Sequence, residues 1–153
     1  MKRKLSIFIL LALLVALLVL PVQAAELGYV TDAAGLLTET EWTRLETMCG
    51  SISEQYHCGV YIITVEDFAD YGEGDVYEVT YEIYHGYELG MGDERNGLVL
   101  LLSMDTREFA LFVYGDEAEY AFDAYGQEML ESEFLPYFGE DDWCGGFEAY
   151  AKA

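Results

Sequence analysis

Leu98 to Leu102 is an unbroken apolar run, and the tight stretch Met104-Asp105-Thr106-Arg107 separates it from a second β-rich run, Phe109 to Tyr114. Two strands joined this closely can only pair as an antiparallel hairpin. The first of them is the most hydrophobic segment after the N-terminal apolar run and is expected at the centre of a sheet. Val60-Tyr61-Ile62-Ile63-Thr64-Val65 is likewise apolar almost throughout, the pattern of a strand covered by helices on both faces. Helical periodicity fills the spaces between these runs. Strands alternating with helices in this way predict an α/β fold: a three-layer α/β/α sandwich, its sheet mostly parallel with one antiparallel hairpin.

The helices can be placed by their start signals and stripes. Tyr29 to Leu37 is a short extended lead-in. Thr38 followed by Glu41 forms a capping box, and Trp42, Leu45, Met48, Ile52 and Tyr56 recur at helical spacing as the expected buried stripe. His57-Cys58-Gly59 ends that helix. Asp67 to Gly74 is polar loop. Asp75 to Leu89 is a second helix with Val76, Val79, Ile83 and Tyr87 on one side, and Gly90, Gly92 and Gly97 punctuate the loop after it. Tyr120 onward is expected to be helical until Pro136. A last helix begins near Asp141 and carries no stop signal before Ala153, so the chain is expected to continue beyond it.

Residues 1–24 have the three parts of a secretory signal peptide in order: Lys2-Arg3-Lys4, the apolar run Ile7 to Leu20, and small residues at Val22-Gln23-Ala24 after Pro21. As a helix the run extends roughly 21 Å, short of a hydrocarbon core of about 30 Å. The domain is therefore expected over residues 27–153, exported to the cell envelope or the exterior. Cleavage removes three of the seven basic residues and none of the 29 acidic ones, leaving a mature charge of −25. Such a surface repels nucleic acid, which needs clustered Lys and Arg, and favours divalent cations and basic partners. Thirteen tyrosines argue against disorder.

Most familiar chemistry is missing. No glycine-rich nucleotide cradle is present, so no nucleotide cofactor is expected. No Gly-x-Ser-x-Gly elbow is present either. His57 and His85 have no second histidine at zinc-ligand spacing. Cys49, Cys58 and Cys144 include no Cys-x-x-Cys, and an odd number leaves a spare thiol even if one disulfide closes.

What remains is carboxylate chemistry of the kind that hard cations such as calcium and magnesium use. A helix running into the next strand lies antiparallel to it, so Asp32 should sit near the far end of the first long strand, beside Glu66 and Asp67. Asp105 joins that rim if the two long strands are parallel, and ligands of open α/β sheets bind at the carboxyl edge. Asp93, Asn96 and Asp116 belong to the opposite rim. The phosphatase alternative draws its cation from Asp32, Asp105 and Asp123, with Asp105 and Arg107 as the candidate catalytic pair.

The motif Val30-Thr31-Asp32-Ala33-Ala34-Gly35-Leu36-Leu37 resembles the opening V-x-D-x-A-G-L-L of TPM domains. Asn96-Gly97 before the apolar strand, the Ser103 to Arg107 turn, Tyr114-Gly115 and Ala121 to Gly126 continue the likeness over about residues 27–150. The resemblance implies an exported α/β sandwich, often followed by a transmembrane helix, so a membrane tether is expected downstream. It also implies calcium binding, and for a plant thylakoid-lumen member acid phosphatase activity. Where the family usually has Asp-Arg at the hairpin turn, this chain has Thr106-Arg107, with Asp105 one place early. Asp123 is likewise one place early before Tyr125-Gly126. The reading taken forward is a binding or assembly and turnover module of the cell envelope, with envelope or membrane proteins as partners. The alternative is a metal-dependent acid phosphatase.

Overall fold

A computed structural model of the chain describes residues 27–153; the signal peptide expected over residues 1–24 lies outside the described residues. Four strands form one sheet in the order β1-β2-β3-β4: β1 Val30–Asp32, β2 Gly59–Val65, β3 Gly97–Ser103 and β4 Glu108–Tyr114. The first three are mutually parallel and β4 runs antiparallel to β3. The helices are α1 Glu39–Tyr56, α2 Val76–Gly86, α3 Asp116–Ala121, α4 Ala124–Phe138 and α5 Trp143–Lys152. This is the α/β sandwich with one antiparallel hairpin that the sequence predicts.

Alternation along the strands sorts the core into two layers. Val60, Ile62, Leu98, Leu100 and Leu111 face α1, α4 and α5, where Phe134 and Phe147 are fully buried. Tyr61, Ile63, Val65, Val99, Leu101 and Phe112 face α2 through Val79, Ile83 and Tyr84. Each fully buried large side chain contributes about 1.5–3 kcal/mol, which explains why β2 and β3 read as continuous apolar runs: both of their faces are covered.

Several expectations shift. The extended lead-in contains a strand, β1, which pairs in parallel with Ile62 to Thr64 at the sheet edge. Three residues are too few to show a period of two. The buried stripe of α1 is Leu45, Cys49 and Ser53, with Met48 and Ile52 partly covered, whereas Trp42 and Tyr56 are 39 % and 66 % exposed. Ser53 is tolerated inside because its hydroxyl accepts the Val60 N–H at 2.8 Å. Trp42 lies outside because its indole N–H bridges to the Val30 carbonyl at 2.9 Å. On α2, Tyr84 rather than Tyr87 completes the buried side. The single helix expected from Tyr120 is two helices, broken where Asp123 caps α4 through the N–H groups of Tyr125 and Gly126 at 3.0 and 2.9 Å. Pro136 lies within α4 rather than ending it.

Candidate functional site

The parallel strands β1, β2 and β3 end on one edge, and the sequence-predicted carboxylates Asp32, Asp67 and Asp105 are placed there. The edge is laced together by backbone. The Ala33 N–H donates to Thr64 O at 3.0 Å, and the N–H groups of Met104 and Asp105 donate to Val65 O and Glu66 O at 3.0 and 2.8 Å. Ser103 Oγ accepts the Phe68 N–H at 3.2 Å.

Asp32 is half-buried and its carboxylate is already engaged. Oδ1 accepts the Leu36 N–H at 3.0 Å and the Thr64 hydroxyl, and Oδ2 accepts the Leu37 N–H at 2.8 Å. It therefore folds the Ala33-Ala34-Gly35 loop back onto β1 and delivers Thr38 to cap α1. Asp67 accepts the Ala69 N–H at 2.9 Å, closing a short 3-10 turn. Asp105 is exposed in the hairpin turn. Arg107, in the left-handed region at φ 58°, turns away from this rim. Its guanidinium pairs with Asp141 at 2.6 Å and lies 5.0 Å over the Trp143 ring, fastening the hairpin turn to the α4–α5 connection.

The opposite edge holds the other set. Met91 and Asn96 bridge in a tight hairpin, each N–H donating to the other's carbonyl at 2.9 Å, with Asp93 exposed at its tip. The Asn96 side chain is buried, and its Oδ1 accepts the N–H groups of Glu117 and Ala118 at 3.0 and 3.2 Å. It supplies α3 with the N-cap that Gly115 cannot, since glycine has no side chain to accept a bond. A side chain at Gly115 would strike Asn96 itself, and its φ of 96° is one that only glycine adopts readily. Asp116 is exposed on the first turn of α3.

Arg95 clamps the same hairpin to the end of α2. It donates to Leu89 O at 2.9 Å and Tyr84 O at 2.8 Å, and it lies 5.3 Å over the Tyr84 ring and 5.9 Å over Tyr114. His85 Nδ1 is 3.5 Å from its guanidinium, and burial followed by that positive charge lowers the pKa of His85.

Asp123 does not join Asp32 and Asp105. It follows β4, whose last residue Tyr114 pairs with Gly97 at the amino ends of β2 and β3. A seven-residue strand of about 20 Å separates that edge from the hairpin turn. Asp123 Oδ1 is spent on capping α4. Among the described residues no group of three or more His, Cys, Asp or Glu side chains is placed to share a cation. The donors expected to hold calcium therefore do not fit that role: one is engaged by three donors, one is exposed and alone, and one lies at the other end of the sheet.

The cysteines are free thiols. Burial pushes Cys49 up to about 12, and it also raises Cys58 and Cys144. None is an activated nucleophile, because reactivity needs the thiolate.

Two surface features escaped sequence reasoning. Tyr77 and Tyr81 lie exposed along α2, with their rings 5.5 and 5.8 Å from that of Phe112 on the edge strand β4. A cleft of about 580 Å³ opens between the ends of α1, α3 and α5. The tyrosine pair was visible as i, i+4 spacing but off the predicted stripe. The cleft depends on three segments distant in sequence and had no local signal.

These elements define an α/β/α domain with a mostly parallel sheet ending in an antiparallel hairpin, in which Asp32, Asp67 and Asp123 anchor backbone N–H groups. The chain belongs to the TPM domain family, whose model matches residues 30–153. A search of the curated proteins finds no match. Three solved structures share the fold. The N-terminal domain of a protein from P. gingivalis is 19% identical with a TM-score of 0.69, covering 84% of this chain and 80% of that one. The N-terminal domain of the cg2496 protein from Corynebacterium glutamicum is 14% identical with a TM-score of 0.63, covering 88% and 80%. The BA42 protein of the psychrophilic Bizionia argentinensis is 14% identical with a TM-score of 0.59, covering 76% and 79%.

Proposed function

We propose that this TPM domain is a non-catalytic binding module that works outside the cytoplasm, and that its partners are basic proteins of the cell envelope. The observation that carries this is the outer surface of α2, where Tyr77 and Tyr81 are 49 % and 50 % exposed. Tyrosine offers large contact area with few torsions to freeze, which is why it is frequent among binding hot spots. Both rings rest against Phe112, so they are held in position before a partner arrives. Glu78, Glu82 and Glu88 are exposed on or beside the same helix. Ring faces and acidic neighbours together suit Lys and Arg side chains, through cation–π contact and charge steering.

Metal-dependent phosphate-ester hydrolysis draws less support. Its carboxylates are split between two edges, Arg107 is paired with Asp141, and the −25 charge opposes an anionic substrate. A calcium ion would have to recruit exposed carboxylates such as Asp105.

Site-resolved photo-crosslinking on the full chain in its own envelope tests the proposal. A photoreactive residue at Tyr81 should give a discrete, salt-sensitive product, and one at Asp105 should not. The Tyr77→Ala/Tyr81→Ala variant should weaken the captured complex by about 2 kcal/mol, or roughly thirtyfold. Divalent-metal-dependent hydrolysis of p-nitrophenyl phosphate that disappears in Asp105→Asn, with folding intact, would sink the proposal.

A further inference from the structure

The two edges of the sheet are finished differently. At β1 side chains take up the outer backbone: Glu46 accepts the Val30 N–H at 2.6 Å, and the Trp42 indole N–H donates to Val30 O at 2.9 Å. β4 forms the other edge and pairs only with β3, in a register that runs without a bulge from Gly97↔Tyr114 to Ser103↔Glu108. In an antiparallel pair every second residue turns its N–H and C=O away from the partner strand. Among the described residues no loop, helix or side chain hydrogen-bonds to the outer side of Phe109 to Val113. Edge strands are commonly guarded by Lys, Pro, a bulge or short length, and the seven residues of β4 have none of these. Leu111 and Val113 are covered on one face and Phe112 on the other, so what this edge offers is a strip of backbone.

We infer that β4 accepts an extended basic segment of the partner as an added strand. This mode of binding presupposes that Tyr77 and Tyr81 receive a basic partner, and it says how. A strand added there lies about 4.8 Å outside β4, with its side chains alternating between the two faces. Those on the α2 face fall beside Phe112, where Tyr77 and Tyr81 stand half-exposed over the last strand. Lys or Arg at these positions gains ring contact as well as backbone pairing. Charge favours the same occupant. Glu108 opens the strand, exposed and in no ion pair among the described residues, and Glu78 and Glu82 follow the tyrosines on α2. Arg107 is matched by Asp141. Arg95 lies over the Tyr114 ring, so the cations of the segment belong at the half of β4 from Glu108 to Phe112. A second copy of the chain is disfavoured by the charge of −25 that each copy carries.

The probes are a peptide as long as β4 that alternates lysine and threonine, and the same peptide N-methylated at every backbone nitrogen. The two carry equal charge, so attraction to the acidic surface is common to both. Each is added to the full chain, and amide hydrogen exchange is followed residue by residue. At about ten times its dissociation constant the unmethylated peptide should slow every second amide of β4 about tenfold, as mass action requires, and leave the β1 amides unchanged. The methylated peptide should bind at least about tenfold more weakly, because about three backbone hydrogen bonds of modest net worth are lost. Equal binding of the two peptides without β4 protection, lost in Tyr77→Ala/Tyr81→Ala, would overturn the added strand and leave the tyrosine surface standing. Protection of β4 that persists in that variant would support the added strand and remove the tyrosines from the partner site. Should the variant not fold, the comparison of the two peptides on the wild type still decides. Binding of neither peptide, or β4 amides already slow before any peptide is added, would each overturn the proposal, the latter because the chain itself or a second copy then covers the edge.

Discussion

Asp32 was the most conspicuous candidate ligand in the sequence, and its environment gives it a different task. Two backbone N–H groups and the Thr64 hydroxyl converge on one carboxylate. Hydrogen bonds to a charged acceptor contribute about 1.5–3 kcal/mol each, and donors left without a partner are costly. Asp32→Ala should therefore lower stability by about 2–3 kcal/mol, read as a fall in the urea midpoint. Asp32→Asn should lose less, because the amide oxygen can replace one acceptor. A chain that loses calcium affinity in Asp32→Ala with an unchanged midpoint would restore the ligand role. The capping box at Thr38 was legible at this scale, since it needs only a hydroxyl and a glutamate three residues on. Arg107 was not: its partner, Asp141, is 34 residues away, and only the tertiary fold brings the two together.

At the scale of elements, α3 depends on a residue outside itself. Six residues are too few for a helix to be stable alone, since nucleation fixes several residues for one hydrogen bond. Asn96 Oδ1 removes part of that cost by accepting from Glu117 and Ala118. Asn96→Ala should destabilise the protein by about 1–2 kcal/mol, and hydrogen exchange at the Glu117 and Ala118 amides should accelerate more than in β3. Uniform acceleration would mean that α3 holds itself. The α2 end makes a pH prediction. His85 is packed against Tyr81, Tyr84, Phe112 and Tyr114 and faces Arg95. Burial and the guanidinium hold its pKa below the usual value of 6.5. The native state thus binds fewer protons than the unfolded one, so this stability is present above about pH 6.5 and is lost as pH falls through the folded value. Between pH 7.5 and 5 the wild type should lose more stability than His85→Phe, measured by urea unfolding at each pH. Strands β2 and β3 were readable because both faces are apolar. The α1 stripe was misread because Trp42 and Tyr56 count as apolar in a periodicity, while the buried positions Cys49 and Ser53 do not stand out.

For the whole molecule, charge is the property the sequence states most directly and the fold alters least. Once the expected signal is removed, 29 acidic residues face four basic ones. Three ion pairs join described side chains, all of them at least partly exposed. Such pairs contribute about 0.2–1 kcal/mol each and weaken as salt is added. Repulsion among the remaining carboxylates also weakens with salt, and there are many more of them. Repulsion should win, so sodium chloride should stabilise the mature protein. The Debye length falls from about 30 Å at 0.01 M to about 10 Å at 0.1 M, so most of the gain should come within that first decade. A gain of about 1 kcal/mol raises the Tm of a domain this size by roughly 4 °C. Calorimetry of the mature chain at fixed pH should show Tm climbing steeply to 0.1 M salt and flattening beyond it. The same screening should weaken capture of a basic partner, so stability and binding should move in opposite directions over one titration. A Tm that falls with salt would mean that the few ion pairs outweigh the repulsion, and it would remove the electrostatic ground for expecting a basic partner.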